Sequence, residues 1–274
     1  VRYYPKLVGM SPFTPAAGYR FLLDPGEDEW ELCARLSAEI DRFCLEQGLG
    51  SASFLFADPA WRFTMERLGW LPWLHQGFIW NNPGYASLDQ FWERFRTGQR
   101  RNVRRDQAAV ARQGYMVRVV EGEDAPESLF ELMHAYYVRT NDKFGPWGCR
   151  YLSRDFFSGA ARVLRDRVAF SLANAPGAAE PVGMALLARK GSRLWGRYWG
   201  AGQSVPGLHF AVCYYAPMAY AVERGLASFD PGMGGLHKVR RGFVSTPTAS
   251  LHRFHQKALD AVFRTHLDNI NAAE

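Results

Sequence analysis

The sequence predicts a mixed α/β (α+β) fold, with mixed sheets flanked by helices, on three observations. Short runs rich in β-branched and aromatic residues alternate with segments whose apolar residues recur every three to four positions. The stretch from Leu194 to Phe243 reads as strand, loop, helix, strand and basic turn, a βαβ unit. Hydrophobic residues make up 47% of 274, enough for a sizeable core, and no apolar run reaches membrane-spanning length.

From the N-terminus, Val1 to Leu23 is aromatic-rich and broken by Pro5, Pro12 and Pro15, with short strands expected at Leu7 to Met10 and Tyr19 to Leu23. Asp28 to Gln47 reads as an amphipathic helix with Trp30, Cys33, Leu36, Ile40, Phe43 and Cys44 on one face. A strand is expected at Ser53 to Ala57. Asp58 then caps a helix that opens on Pro59 and runs to about Leu68. Leu74 to Trp80 reads as a strand. Ser87, with Gln90 in the capping-box position, starts one long helix ending at Gly114.

The second half opens with a strand at Tyr115 to Val120 and a helix at Pro126 to Asn141. Ser153 caps another helix to about Leu164. Val168 to Asn174, Pro181 to Lys190 and Arg193 to Trp199 read as successive strands joined by PG and KGS turns. A helix is expected from Leu208 to about Gly225, bent or shortened by Pro217, which lacks a backbone donor. A strand at Ser228 to Asp230 follows. The chain is expected to end in a helix at Ser250 to Ile270, with Leu259, Val262, Phe263 and Leu267 inward.

The net charge is +6, which favours acidic partners: nucleotide phosphates, nucleic acid or an anionic lipid head group. Cys33, Cys44, Cys149 and Cys213 form no C-x-x-C pair and read as reduced cysteines of a cytoplasmic protein. The opening VRYYPKLVGM lacks a secretory-signal pattern. No H-x-x-x-H or EF-hand pattern occurs, so no metal is expected, and the absence of G-x-S-x-G argues against hydrolase chemistry.

The groups suited to chemistry cluster late in the chain. His209, at the start of a helix, suits a general base or a helix-end hydrogen bond. Asp230, ending a buried strand, is either functional or tied to a nearby cation. His237, Lys238 and Arg241 lie in a glycine-rich turn, as a pocket for a phosphate or a developing oxyanion requires; a solvated basic turn is the plainer alternative. Arg197 and Trp199 alternate on a strand and are expected on one face, lining an acyl or nucleotide groove or simply packing. The arginine-rich stretch 94–112 carries Arg94, Arg96, Arg100, Arg101, Arg104, Arg105 and Arg112. It suits a solvated face, a nucleic-acid contact or an anionic membrane patch.

LWGRYWG, LHFxxCYY, the FDPG turn and HKxxRGF, in this order, resemble the FemAB-like family of the GNAT N-acyltransferase superfamily. YLSRDFF, WNNPGYASLDQF, PFTPAAGYR and YYPKLV extend the resemblance over most of the chain. It implies a tandem GNAT-like acyltransferase fold: a partial first lobe at 1–86, a basic bridging helix at 87–114 and a second lobe at 115–274 carrying the site. It also implies residues ahead of YYPKLV, so the chain is expected to be a piece of a longer protein.

The implied activity is peptidoglycan-related N-acyl transfer to an amine. The donor would be acyl-CoA or aminoacyl-tRNA, with tRNA held by the arginine-rich helix 94–112 and no tightly bound cofactor. The resemblance implies catalytic roles for His209, Asp230, His237, Lys238 and Arg241. The superfamily's pyrophosphate formula [QR]-x-x-G-x-[GA] falls on Arg197, Gly200 and Gly202, with Trp199 beside them; a strand exit with permissive glycines is the alternative. The chain departs from the family at Ala211, where a glutamate is common, and at Gly234 and Leu236, where polar residues are common. Those departures support the alternative of a catalytically weak or inactive member that binds an acidic ligand, nucleic acid or envelope precursor.

Overall fold

The computed structural model describes residues 3–11 and 14–273; Pro12 lies outside them. In chain order the elements are β1 (Leu7–Gly9), α1 (Glu29–Glu46), β2 (Ser51–Phe54), α2 (Pro59–Arg67), β3 (Leu71–Asn81), α3 (Leu88–Glu93) and α4 (Thr97–Ala111). Then come β4 (Met116–Glu121), α5 (Glu127–Asp142), α6 (Arg154–Val163), β5 (Val168–Asn174), β6 (Pro181–Lys190) and β7 (Arg193–Ala201). The helical segment α7 comprises Leu208–Phe210, a π-helical Ala211–Tyr215 and Ala216–Glu223. β8 (Ser228–Asp230), β9 (Val244–Phe254) and α8 (Lys257–Ala273) complete the chain.

The chain forms two compact units, Val1–Gly77 with Ser245–Glu274, and Phe78–Val244. This division differs from the expected lobes at 1–86 and 115–274. The basic helix belongs to the second unit, and the C-terminal segment completes the first. The reason is long-range pairing: β9 returns to lie antiparallel to β2, with Ala52 opposite Arg253. That pairing also overrides the expected helix from Ser250, because residues 244–254 complete a strand and the helix starts only at Lys257.

In the first unit β1 pairs parallel to β2. Asp58 caps α2 by accepting from the amides of Ala60 and Trp61 at 2.9 and 3.1 Å, ahead of Pro59. The inner face of α1 is rotated from the expected stripe: Cys33, Ser37 and Cys44 are buried, whereas Trp30, Leu36 and Phe43 are partly exposed. Two tryptophans fix that rotation, since Trp70 Nε1 donates to Ser37 Oγ and Trp61 Nε1 to Cys33 Sγ. The expected strand at Tyr19 to Leu23 reduces to a single bridge, Tyr19 with Ala57.

In the second unit the strand order is β3 (its last residues), β8, β7, β6, β5, β4. β4 to β7 form an antiparallel meander, and β7 runs parallel to β8 across α7, so the βαβ unit is present. The long helix expected from Ser87 is two helices broken at 94–96. Ser87 caps the first through the Gln90 amide, and Gln90 Oε1 accepts from Ala86. The π-helical turn accounts for Pro217: the Ala216 amide bonds back five residues to Ala211, and the wider turn lets the helix continue past a residue that cannot donate. Trp80 and Phe229, paired across β3 and β8, are fully buried at the centre of this core.

Candidate functional site

The site lies in the second unit, where α7, the 3-10 turn Leu236–Arg241 and α4 meet. Gly207 precedes α7 at φ 81°, and a side chain there would press on the Asp106 carbonyl oxygen at 2.8 Å, so glycine lets α7 start against α4. The first turn of α7 then presents His209 and Phe210, and the π turn presents Tyr214 and Tyr215.

His209 sits in an aromatic cage with ring centroids 5.5 Å from Trp199, 5.4 Å from Phe210 and Tyr214, and 6.5 Å from His237. Burial, and then the neighbouring His237, Arg241 and Lys238, push its pKa down to about 4. It is therefore a neutral imidazole at neutral pH, and it makes no hydrogen bond to the described residues. His237 is exposed, and its Nε2 lies 2.9 Å from the Tyr214 hydroxyl. Its pKa is lowered, chiefly by desolvation.

The three cations expected to hold a donor have internal partners. Arg197 makes a two-pronged pair with Asp230, at 3.2 Å to Oδ1 and 3.1 Å to Oδ2, and Asp230 Oδ1 also accepts from the Gly232 amide. Asp230 is thus tied to a nearby cation. Lys238 is buried, and its Nζ donates to the carbonyls of Gly232 and Met233 at 2.7 and 2.9 Å, clamping the glycine-rich turn. Desolvation lowers the Lys238 pKa to about 8. Arg241 Nη2 donates to Asp106 Oδ2 at 2.6 Å, its Nε to the Tyr215 hydroxyl, and its guanidinium lies 3.3 Å from the Phe210 ring centroid. Tyr215 donates to the same Asp106 oxygen at 2.8 Å.

Arg197 and Trp199 do not share a face. Trp199 pairs with Ala185 and Arg197 with Leu186, adjacent residues on β6 that point to opposite faces. The intervening Tyr198, at φ 58°, is the extra residue of a bulge that breaks the alternation. Gly200 and Gly202 lie against Tyr136, and the Gly202 amide donates to the Val182 carbonyl. A methyl group on Gly200 would run into the Tyr136 carbonyl. Gly200→Ala is therefore expected to cost about 1–3 kcal/mol in chemical denaturation, as overpacking against a rigid helix does.

The structure thus gathers His209, His237, Lys238 and Arg241 around one turn, with Trp199 on the His209 cage. It sets Arg197 and Asp230 together as a pair beside that turn, and leaves Gly200 and Gly202 as packing positions. Sequence reasoning missed Asp106, Phe210, Tyr214 and Tyr215. Asp106 carried a signal: it is the one acid in the arginine-rich stretch 94–112. An acid kept among seven arginines marks a partner elsewhere.

On α4 the arginines are differently placed. Arg100, Arg101 and Arg104, with Asp89, Trp92, Glu93 and Gln107, line an open cavity of about 630 Å³. Among the described residues Arg101, Arg104 and Arg105 have no ion-pair partner.

The fold is mixed α/β, with helices flanking the strands. The chain belongs to the FemAB-like family, described as peptidoglycan biosynthesis/recognition, whose family model matches residues 1–274. Three solved structures share the fold. The C-terminal domain of a putative lysylphosphatidylglycerol synthetase from Agrobacterium fabrum is 15% identical, over 89% of this chain and 79% of that one, with a TM-score of 0.59. L-PGS from Bacillus licheniformis is 13% identical over 85% and 77%, with a TM-score of 0.56. FemX is 11% identical over 85% and 79%, with a TM-score of 0.53. No curated protein matches the chain in sequence.

Proposed function

We propose that the chain is a peptidoglycan-related acyl or aminoacyl transferase whose reacting centre lies at the first turn of α7. The observation that carries the reading is the state of His209. Asp230, Lys238 and Arg241 have their charged atoms engaged by neighbours and His237 Nε2 meets the Tyr214 hydroxyl, whereas the His209 imidazole is neutral and makes no hydrogen bond to the described residues. In this reading an amine attacks the donor carbonyl and His209 takes the proton the attacking nitrogen loses. The tetrahedral intermediate collapses by breaking the bond from the acyl carbon to the tRNA hydroxyl or CoA thiol, which leaves with that proton. A pKa near 4 makes His209 a weak base. An anionic donor beside Arg241 and Lys238 would offset two of the charges that depress it, coupling donor binding to base strength.

The donor class follows from charge. The arginines of the α4 cavity, Arg100, Arg101 and Arg104, support a phosphate-bearing donor, aminoacyl-tRNA or acyl-CoA. The acceptor is an amine of a cell-envelope precursor. One observation favours the second reading, a binding protein without turnover: Arg197, Lys238 and Arg241 are held inward, away from a donor.

Thermal melting with uncharged tRNA and with CoA thioesters separates the readings, because a ligand of the folded state raises its melting point. Stabilisation by tRNA that falls steeply with salt and disappears in Arg101→Glu/Arg104→Glu is the expected result. It should be accompanied by transfer of label from aminoacyl-tRNA to a muropeptide amine. Stabilisation by CoA thioesters alone moves the donor to acyl-CoA. Stabilisation without transfer leaves the binding reading.

A further inference from the structure

The loop between α5 and α6 has the build of a surface probe. Its backbone is tied down: the Cys149 amide donates to Asn141 Oδ1 at 3.1 Å, the Tyr137 hydroxyl donates to the Cys149 carbonyl at 2.9 Å, and the Leu152 amide donates to the Tyr137 hydroxyl. The amides of Phe144, Trp147 and Gly148 close successive turns onto Asn141, Phe144 and Gly145. Its large side chains nevertheless point outward. Trp147 is 86% exposed, Phe144 60% and Tyr151 58%. Among the described residues the rings of Phe144 and Trp147 contact no other aromatic ring.

A rigid loop that exposes three aromatic rings is expensive in water, since each could bury most of its area elsewhere. The charges around the rings indicate what covers them. Residues 139–154 hold four cations, Arg139, Lys143, Arg150 and Arg154, against one carboxylate, Asp142. Arg150 pairs with Asp142 and Arg154 with Glu131, while Arg139 and Lys143 have no ion-pair partner among the described residues.

We infer that this loop docks on the head-group region of an anionic lipid bilayer. Tryptophan and tyrosine favour that depth, where one edge of the ring is dry and the other wet. Phenylalanine adds an apolar wedge, and lysine and arginine gain from the negative surface potential. The bonded backbone suits the same depth, because irregular chain cannot enter the hydrocarbon, whereas side chains projecting from it can. Among the described residues no helix is long and apolar enough to cross a membrane, so the contact is interfacial. It stands independently of the transferase reading.

The experiment is co-sedimentation of the whole chain with unilamellar vesicles of phosphatidylcholine alone, or of phosphatidylcholine mixed equally with phosphatidylglycerol. The chain is expected to pellet with the mixed vesicles and remain in solution with the neutral ones. Phe144→Ser/Trp147→Ser should weaken that binding about tenfold or more, and Arg139→Glu/Lys143→Glu should remove the preference for anionic lipid. Both pairs are surface changes, and unchanged melting curves check that they fold. The inference is overturned by absence of vesicle binding, by binding that the aromatic pair leaves intact while Arg101→Glu/Arg104→Glu removes it, or by retention on peptidoglycan sacculi in place of vesicles through the same two aromatics.

Discussion

Asp106→Ala should lower the stability of the second unit by about 3–5 kcal/mol, as loss of one member of a buried ion pair does. Asp106 is 9% exposed and accepts from both Arg241 and Tyr215 on a single oxygen. Its loss strands a guanidinium whose side chain is 11% exposed and a hydroxyl with burial-raised pKa. Thermal or urea unfolding measures the effect, with a melting-point drop of roughly 10 °C. Asp106→Asn keeps an acceptor and should lose less. Asp106→Leu combined with Arg241→Met should recover part of the loss, since removing both charges leaves none unpaired. A loss under about 1 kcal/mol for Asp106→Ala would mean that the pair is solvated and does not hold α4 to the turn.

The second large effect concerns His209. On the proposed reading, His209→Phe should slow label transfer by about 10²–10⁴-fold, the range general-base catalysis supplies, while tRNA still raises the melting point. The same substitution has a signature in stability. The folded-state pKa of about 4 lies below the ordinary 6.5. Above pH 6.5 the imidazole is neutral in both states, and its contribution is fully present. As pH falls from 6.5 towards 4, the unfolded chain takes up a proton that the folded chain refuses, and that contribution is lost. His209→Phe should therefore flatten the acid limb of the stability profile. His252 in the first unit, also lowered to about 4, keeps part of that limb. A variant that transfers label at the parent rate would remove His209 from the chemistry, whatever its acid limb does.

Much of the fold was legible because its signals are local. The strands at 168–174, 181–190 and 228–230 follow the stated boundaries, and the caps at Asp58 and Ser87 work through their side chains. Ser153 occupies the N-cap position of α6 but makes no capping bond. Two expectations failed for non-local reasons. The 244–254 strand forms on β2, and the α1 face is turned by two tryptophans. The arginine helix breaks at 94–96, a local event beside the edge-to-face contacts of Phe95 with Phe91 and Trp92. Periodicity in a window reports which residues are apolar, and a partner some 200 residues away decides which of them it covers.

The sequence by itself determined the α/β class, the βαβ unit and the placing of His237, Lys238 and Arg241 in one turn, because turn, cap and strand chemistry act between neighbours. Tertiary structure alone decided which charges remain available. Arg197 is taken by Asp230, Arg241 by Asp106 and Lys238 by two carbonyls, and His209 is left neutral in an aromatic cage. Burial and pairing set the energy of a charge, and both depend on groups that only the folded chain brings within a few ångströms.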